Sequence, residues 1–388
     1  MIKDLVSVVV PAYNVKDYIE ECVVSLLYQS YEKVEIILID DGSTDGTEDI
    51  CEQFAKTNEN VCLYHQVNSG VAIARKTGVS LAKGYYLCFV DADDYLEINY
   101  IENLMCHMNN FDIVTSGYYW GYNNQEKFYG EIPCGIYTSE NEMAYIRENM
   151  IMYKDTLSRG VLPYIWGKVY RTDIARQVFE EINETLFWGE DTEFLYRYIL
   201  KCNSIDITDV CGYHYRIREG SIVRSGNEKY LKNCNELYLS LKKVFEHHPQ
   251  REQLIVKLQK WISTMLVNAT RTMGFDVSAQ SVEFIFPYQN ELKDKKIILY
   301  GAGNVGRNYY RQIDYYKECK LMLWVDKNYE IYREQGVAPI EAIKEQTYDF
   351  IVIAVEKGEV AREIGNDLVQ RGIKKENILW KEPRRTIF

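Results

Sequence analysis

Two stretches decide the fold: Val34–Thr47, VEIILIDDGSTDGT, and Gly84–Asp94, GYYLCFVDADD. The first is an apolar run ending at Asp40 and Asp41, the second an apolar run ending at Asp91, Asp93 and Asp94. Short apolar runs closed by turn residues mark strands buried on both faces in a parallel sheet. Open sheets of that kind bind ligands beyond the carboxyl ends of their strands. Acids placed there are poor packing residues and good ligand contacts.

An Asp-x-Asp at a strand end suits a hard divalent cation, because Mg²⁺ and Mn²⁺ take oxygen ligands and are commonly held by one or two carboxylates together with substrate phosphates. A diphosphate is then the natural companion ligand. A solvated turn is the alternative for such a motif standing alone, so its surroundings decide. VSVVVPAYN reads as a strand from Val6 to Val10, stopped by Pro11. An amphipathic segment from Val15 to Tyr28 follows, with Tyr18, Ile19, Cys22, Leu26 and Leu27 at helical spacing. Val61–His65 and Tyr85–Val90 extend the alternation of strand and helix, which predicts a doubly wound α/β sheet. DDGSTDGT lacks the GxxxxGK[ST] pattern, so a P-loop is not supported.

With VSVVVPAYN, LIDDGSTDGT, NSGVAIARKTGV from Asn68, GYYLCFVDADDYLE, IWGKVYR from Ile165, GEDTEFLYRYI from Gly189 and HYRIREGSI from His214, the chain resembles a family 2 glycosyltransferase of the GT-A fold. The resemblance covers roughly residues 3 to 225, with the motifs in the family's order. It implies a donor site lined by Pro11, Ala12, Tyr13 and Asn14, with Asp40 bonding the uracil or ribose edge and Asp41 bracing the turn. Gly70 and Arg75 would close over base and diphosphate. In the Asp91-Ala92-Asp93 turn, Asp91 would approach the ribose or the metal and Asp93 would ligate Mn²⁺ or Mg²⁺, while Asp94 stays open between this chemistry and a helix cap.

The resemblance further implies a general base in the Glu190-Asp191 pair. Neighbours at a helix start point about 100° apart, so one faces the sugar; Asp191 is chosen, and Glu190 is expected to bond backbone amides at the helix N-terminus. A single displacement with inversion at the anomeric carbon follows. His214 is an expected third metal ligand, with packing as its alternative, and Arg218, Ser221 and Arg224 are phosphate candidates against a plain basic loop. Trp166, Lys168 and Trp188 fall where the family builds its acceptor side, although large aromatics equally serve ordinary cores.

Beyond residue 225 the character changes. Leu231, Leu237, Leu241, Val244, Leu254, Leu258, Trp261 and Met265 recur at helical spacing on either side of Pro249, which reads as a helical hairpin or linker over 226–292. A second, Rossmann-like α/β unit over 293–388 begins with KKIILYGAGNVGR, a strand running into Gly301, Gly303 and Gly306; LMLWVDKN then ends a further strand at Asp326, about twenty residues on. Glycines there let a pyrophosphate approach a helix N-terminus, and the acid bonds a ribose. A second nucleotide site, a structural or docking role, and redox chemistry all stay open for this unit, which lacks a partner half for the last.

The full chain of 388 residues exceeds one ordinary core, and 47% hydrophobic content is that of a globular protein. Its ten cysteines include no CxxC pair, which fits reduced thiols and a cytoplasmic setting. No signal peptide or spanning segment is evident at the sequence level. A net charge of −12 argues against nucleic acid and against broad binding to anionic lipid, while the basic WKEPRR segment leaves local membrane attachment open. The expected partners are a nucleotide-sugar, a UDP-sugar above others, and a saccharide or lipid-linked saccharide acceptor in surface-polysaccharide assembly. A non-catalytic nucleotide-sugar binder of the same fold and a nucleotide-linked oxidoreductase are the competing functions.

Overall fold

All seven residues of the run Val34–Asp40 are buried in the computed structural model, as a strand covered on both faces requires. The structure describes residues 1–120, 126–154, 158–216, 228–272, 284–288 and 291–385. They divide into two units, Met1–Gly274 and Phe275–Phe388.

The first unit is built on strands β1 (Ile2–Ala12), β2 (Val34–Asp40), β3 (Val61–His65), β4 (Gly84–Phe89), β5 (Tyr95–Leu96), β6 (Ile113–Trp120), β7 (Glu126–Phe128), β8 (Gly135–Tyr137), β9 (Lys168–Arg171) and β10 (Ile205–Tyr215). They form one sheet in the order β3-β2-β1-β4-β9-β6-β10-β5, with β7 on β6 and β8 on β10. The first four strands in that order are mutually parallel, and β9 joins them to the rest by antiparallel pairing.

Strand β1 runs through Pro11 to Ala12 instead of stopping at the proline. The pairing explains it. Strand β4 accompanies β1 only as far as Val9↔Phe89, so at Pro11 the chain is flanked on one side alone, by Ile39 of β2, and a missing N–H is tolerated there as on an edge strand. The register then sets Ala12 beside Asp40 and Asp40 beside His65, while β4 leads through Val90 into Asp91. Asp40, Asp41, Asp91, Asp93 and Asp94, the acids that close the two defining runs, therefore lie at the same end of the sheet.

The helices Glu228–Phe245 and Arg251–Thr272 are not a free-standing linker. Leu237, Leu241, Phe245, Leu254, Leu258 and Trp261 enter the same hydrophobic core as Phe194 and Tyr198 of the helix Glu190–Lys201. Their apolar faces need that cover.

In the second unit β11 (Phe284–Ile285) pairs with β16 (Arg384–Arg385), and a separate four-stranded parallel sheet has the order β13-β12-β14-β15, where β12 is Lys296–Tyr300, β13 Lys320–Val325, β14 Phe350–Ile353 and β15 Ile378–Leu379. The helix Asn304–Tyr316 follows β12 directly through the glycine turn.

Candidate active site

Asp41 organises the first corner of the site. Its carboxylate accepts from the Gln66 side-chain amide (2.8 Å) and from the backbone amides of Ser69 (2.9 Å) and Gly70 (2.8 Å), so it ties the 66–70 segment to the end of β2. Asp40, also buried, accepts from the Ser43 amide at 3.1 Å through Oδ1 and faces His65 Nδ1 at 3.2 Å through Oδ2. Asn14 stands in the left-handed region at φ 51°, which asparagine tolerates, and its Oδ1 accepts from the Thr44 amide at 2.8 Å. Pro11 is half-buried, Ala12 buried and Tyr13 exposed at this rim.

The second corner is joined to the first unit's distal helix by Arg75. This buried guanidinium donates to Asp91 Oδ1 at 2.8 Å and to Glu190 Oε1 at 2.7 Å. Burial works against its charge, but Asp91, Glu190 and Asp191 more than offset that and raise its pKa. Its Nε, also buried, has no partner.

Glycine at 189 supplies the N-cap of the helix Glu190–Lys201 at φ 81°, where a side chain would be strained and would also meet Leu237 at 2.7 Å. The two acids that follow divide their roles differently from the expectation. Asp191 Oδ1 accepts the Thr192 amide at 2.6 Å, whereas Glu190 reaches Arg75. Desolvation first, and the Glu190 charge second, push the Asp191 carboxyl up to about 7, with Arg75 and the Thr192 amide acting against them.

Asp94 does not cap a helix. Its Oδ2 accepts from the Tyr213 hydroxyl at 2.7 Å and its Oδ1 from the Arg216 amide at 2.8 Å, while the Asp91 amide donates to the same Tyr213 oxygen at 3.2 Å. Burial, reinforced by Asp93 and Asp91, raises the Asp94 carboxyl well above the ordinary range. Tyr213 thus clasps the acidic turn from β10, and nothing local in the sequence announces it. Ala92 is buried and Asp93 half-buried in that turn. Asp91 and Asp93 offer only hard oxygen donors at a strand end, so their donor set fits Mg²⁺ or Mn²⁺.

His214 lies between the rings of Tyr95 (4.4 Å between centroids) and Tyr119 (4.7 Å), with Nε2 3.5 Å from Glu97 Oε1. Burial lowers its pKa against the pull of Glu97. These are the surroundings of a packed ring. Arg218, Ser221 and Arg224 lie outside the described residues.

Two of the three expected acceptor contacts are interior residues. Trp166 is only 4% exposed, stacked between Tyr164 at 4.4 Å and Tyr213 at 4.3 Å. Lys168 donates from Nζ to the carbonyls of Tyr164 (2.7 Å) and Trp166 (3.3 Å), and its burial depresses its pKa to about 7. Both belong to the wall behind the site. Trp188 is half-buried against Tyr230, at 5.0 Å. We expect Trp166→Ala to lower stability in urea unfolding by about 4 kcal/mol, the scale of a truncated buried tryptophan; a sugar platform would instead show a raised acceptor KM at unchanged stability.

In the second unit Gly301 adopts φ 114°, and a side chain at Gly306 would strike the Gly301 carbonyl, so helix and strand meet closely. Asp326, however, is engaged by its own loop: Oδ2 accepts the Ala302 amide at 2.6 Å and Oδ1 the Asn328 amide at 2.7 Å. Its carboxylate braces the glycine turn in this state.

The sheet, its acidic end and the following helices give the first unit the GT-A transferase fold. S. aureus TarS 1-349, solved in complex with UDP-GlcNAc, shares that fold with a TM-score of 0.53 at 20% identity, covering 68% of this chain and 79% of that one. The family profile described as Glycosyl transferase family 2 matches residues 7–164. The glycosyltransferase GlyG of Streptococcus pneumoniae serotype 4 is 36% identical over 232 residues, 57% of this chain and 74% of its own. WfaP of Escherichia coli, named as a UDP-Glc:α-D-GlcNAc-diphosphoundecaprenol β-1,3-glucosyltransferase, is 29% identical over 234 residues, 60% of this chain and 86% of its own. The chain belongs to glycosyltransferase family 2. It spans 33% of the length of one further relative and 62% of another. Among the described residues no helix is long and apolar enough to cross a membrane.

Proposed function

We propose that this chain is a metal-dependent, inverting glycosyltransferase that moves a sugar from a nucleotide-sugar, a UDP-sugar, to a saccharide or lipid-linked saccharide acceptor in bacterial surface-polysaccharide synthesis. The observation that carries the reading is the Arg75 bridge, which ties the acidic turn at Asp91 to the Glu190-Asp191 helix start and so gathers donor acids and base pair into one site. The activity for which WfaP is named supports a UDP-sugar donor and an acceptor carried on a lipid diphosphate.

In this mechanism Asp40 and the Pro11–Asn14 rim receive the nucleoside, and Gly70, anchored by Asp41, closes over the base. Asp91 and Asp93 would hold Mn²⁺ or Mg²⁺, which when bound offsets the charge of the leaving diphosphate. Asp191 keeps Oδ1 on the Thr192 amide and presents Oδ2 to the acceptor hydroxyl, taking its proton as the hydroxyl oxygen attacks the anomeric carbon. Its elevated pKa suits a base working near neutral pH. Trp188 is the remaining aromatic candidate for the acceptor side.

The test is nucleoside diphosphate release from a panel of UDP-sugars with Mn²⁺ or Mg²⁺ and a lipid-linked acceptor extract. Turnover of one donor, abolished by Asp93→Ala and giving product of inverted anomeric configuration by NMR, is the expected result. A retained configuration would overturn the single displacement, and nucleotide binding without turnover of UDP-, GDP- or dTDP-sugars would favour a binding scaffold.

A further inference from the structure

At the nucleoside corner an imidazole stands where the sequence patterns gave no reason to look. His65 is the last residue of β3, directly in register with Asp40 at the end of β2. Its Nδ1 lies 3.2 Å from Asp40 Oδ2 and 3.5 Å from Glu48 Oε1 of the helix Thr47–Thr57. Two carboxylate oxygens facing one ring nitrogen require that nitrogen to carry the proton, because a carboxylate can only accept. The Asp40 carboxylate is thereby gripped from both ends, by the Ser43 amide on Oδ1 and by the His65 ring on Oδ2. Asp40 is almost wholly buried, whereas the His65 side chain is 41% exposed.

We propose that His65 is the positioning residue of the nucleoside pocket: by donating from Nδ1 it fixes the rotamer of Asp40, and Glu48 in turn orients the ring. A buried carboxylate that must meet a base or ribose edge gains from such a brace, since its own rotation would otherwise misplace both acceptor oxygens. His65 does not touch the diphosphate end in this assignment. The inference rests on the reading of Asp40 as the nucleoside contact.

The test uses the full-length chain and isothermal titration with UDP and, separately, with inorganic pyrophosphate, both in the presence of Mg²⁺. His65→Phe keeps the ring and removes the donor; His65→Asn replaces the donor, since the asparagine amide nitrogen sits at the same distance along the side chain as Nδ1. We expect His65→Phe to weaken UDP binding by about tenfold, as loss of a hydrogen bond to a charged group does, with pyrophosphate affinity unchanged. His65→Asn is expected to bind UDP within about twofold of wild type. Unchanged UDP affinity in His65→Phe overturns the proposal. So does equal loss of UDP and pyrophosphate, which marks a general collapse of the site, or equal impairment of both variants. Failure of the nucleotide-binding reading looks different: the wild-type chain itself would then bind no nucleotide, and the role of His65 would fall with it.

Discussion

Asp191→Asn is expected to reduce kcat by about a thousandfold, within the range of a lost general base, while leaving the donor Kd within about threefold. The pH dependence carries the sharper signature. Desolvation and the neighbouring Glu190 hold the Asp191 proton on up to about pH 7. A base must be unprotonated to act, so wild-type kcat/KM should climb with unit slope below pH 7 and flatten above it. Glu190→Gln removes a like charge that raises Asp191, so this variant's acid limb should move to lower pH. Stability gives an independent reading with the opposite sense. The folded-state pKa of Asp191 lies above the unfolded value near 3.9, so the group's contribution is fully present below pH 4 and is lost as pH rises through 7. Asp191→Asn cannot ionise, and its thermal midpoint should therefore exceed that of wild type at pH 8 and converge with it near pH 4. A variant that loses activity and stability together at pH 8 would show a structural residue and refute the assignment.

Which of these features could be read from sequence follows from the range of the interactions. Strands β2 and β4 were legible because a parallel strand buried on both faces leaves a continuous apolar run, and because their terminal acids interrupt it abruptly. The helix start at Glu190 came from the family resemblance of GEDTEFLYRYI, and the structure begins a helix there. Trp166 and Lys168 misled because composition does not tell a ring on a surface from one in a core. Trp166 is covered by Tyr213, which arrives from β10 to stack on the indole, and Lys168 is held by the Tyr164 and Trp166 carbonyls. Asp94 looks like a cap to any local reading, yet its partners lie 119 and 122 residues away. His65 went unseen for a related reason: only the register of β2 against β3 brings it to Asp40. The hairpin beyond residue 225 was correctly read as helical, but its membership of the first core is set by contacts with the Glu190–Lys201 helix that periodicity cannot show.

Arg75 is the residue whose loss should be felt most widely, because it acts on both halves of the site at once. Its two nitrogens reach carboxylates separated by about a hundred residues of chain, Asp91 at 16 positions and Glu190 at 115 positions from it. Arg75→Met leaves both acids, each largely enclosed, without a counter-charge; the expected destabilisation is about 3 kcal/mol by urea unfolding, the scale of breaking a buried pair from one side. We expect turnover to fall by at least about a hundredfold, since Asp91 and the helix start then lose their common anchor. Arg75 also lowers the Asp191 pKa. Its removal should push the acid limb of the pH–rate profile above 7, the reverse of the shift in Glu190→Gln. Arg75→Lys separates charge from shape. An ammonium restores the counter-charge, so stability and the position of the acid limb should return most of the way, but a point charge on a flexible stem cannot span both carboxylates in a fixed fork, and the rate should stay depressed. Full recovery of turnover in Arg75→Lys would mean that charge alone is needed and that the bridging geometry is incidental. An unmoved acid limb in Arg75→Met, with stability lost as expected, would detach Arg75 from the base and confine its role to holding the fold.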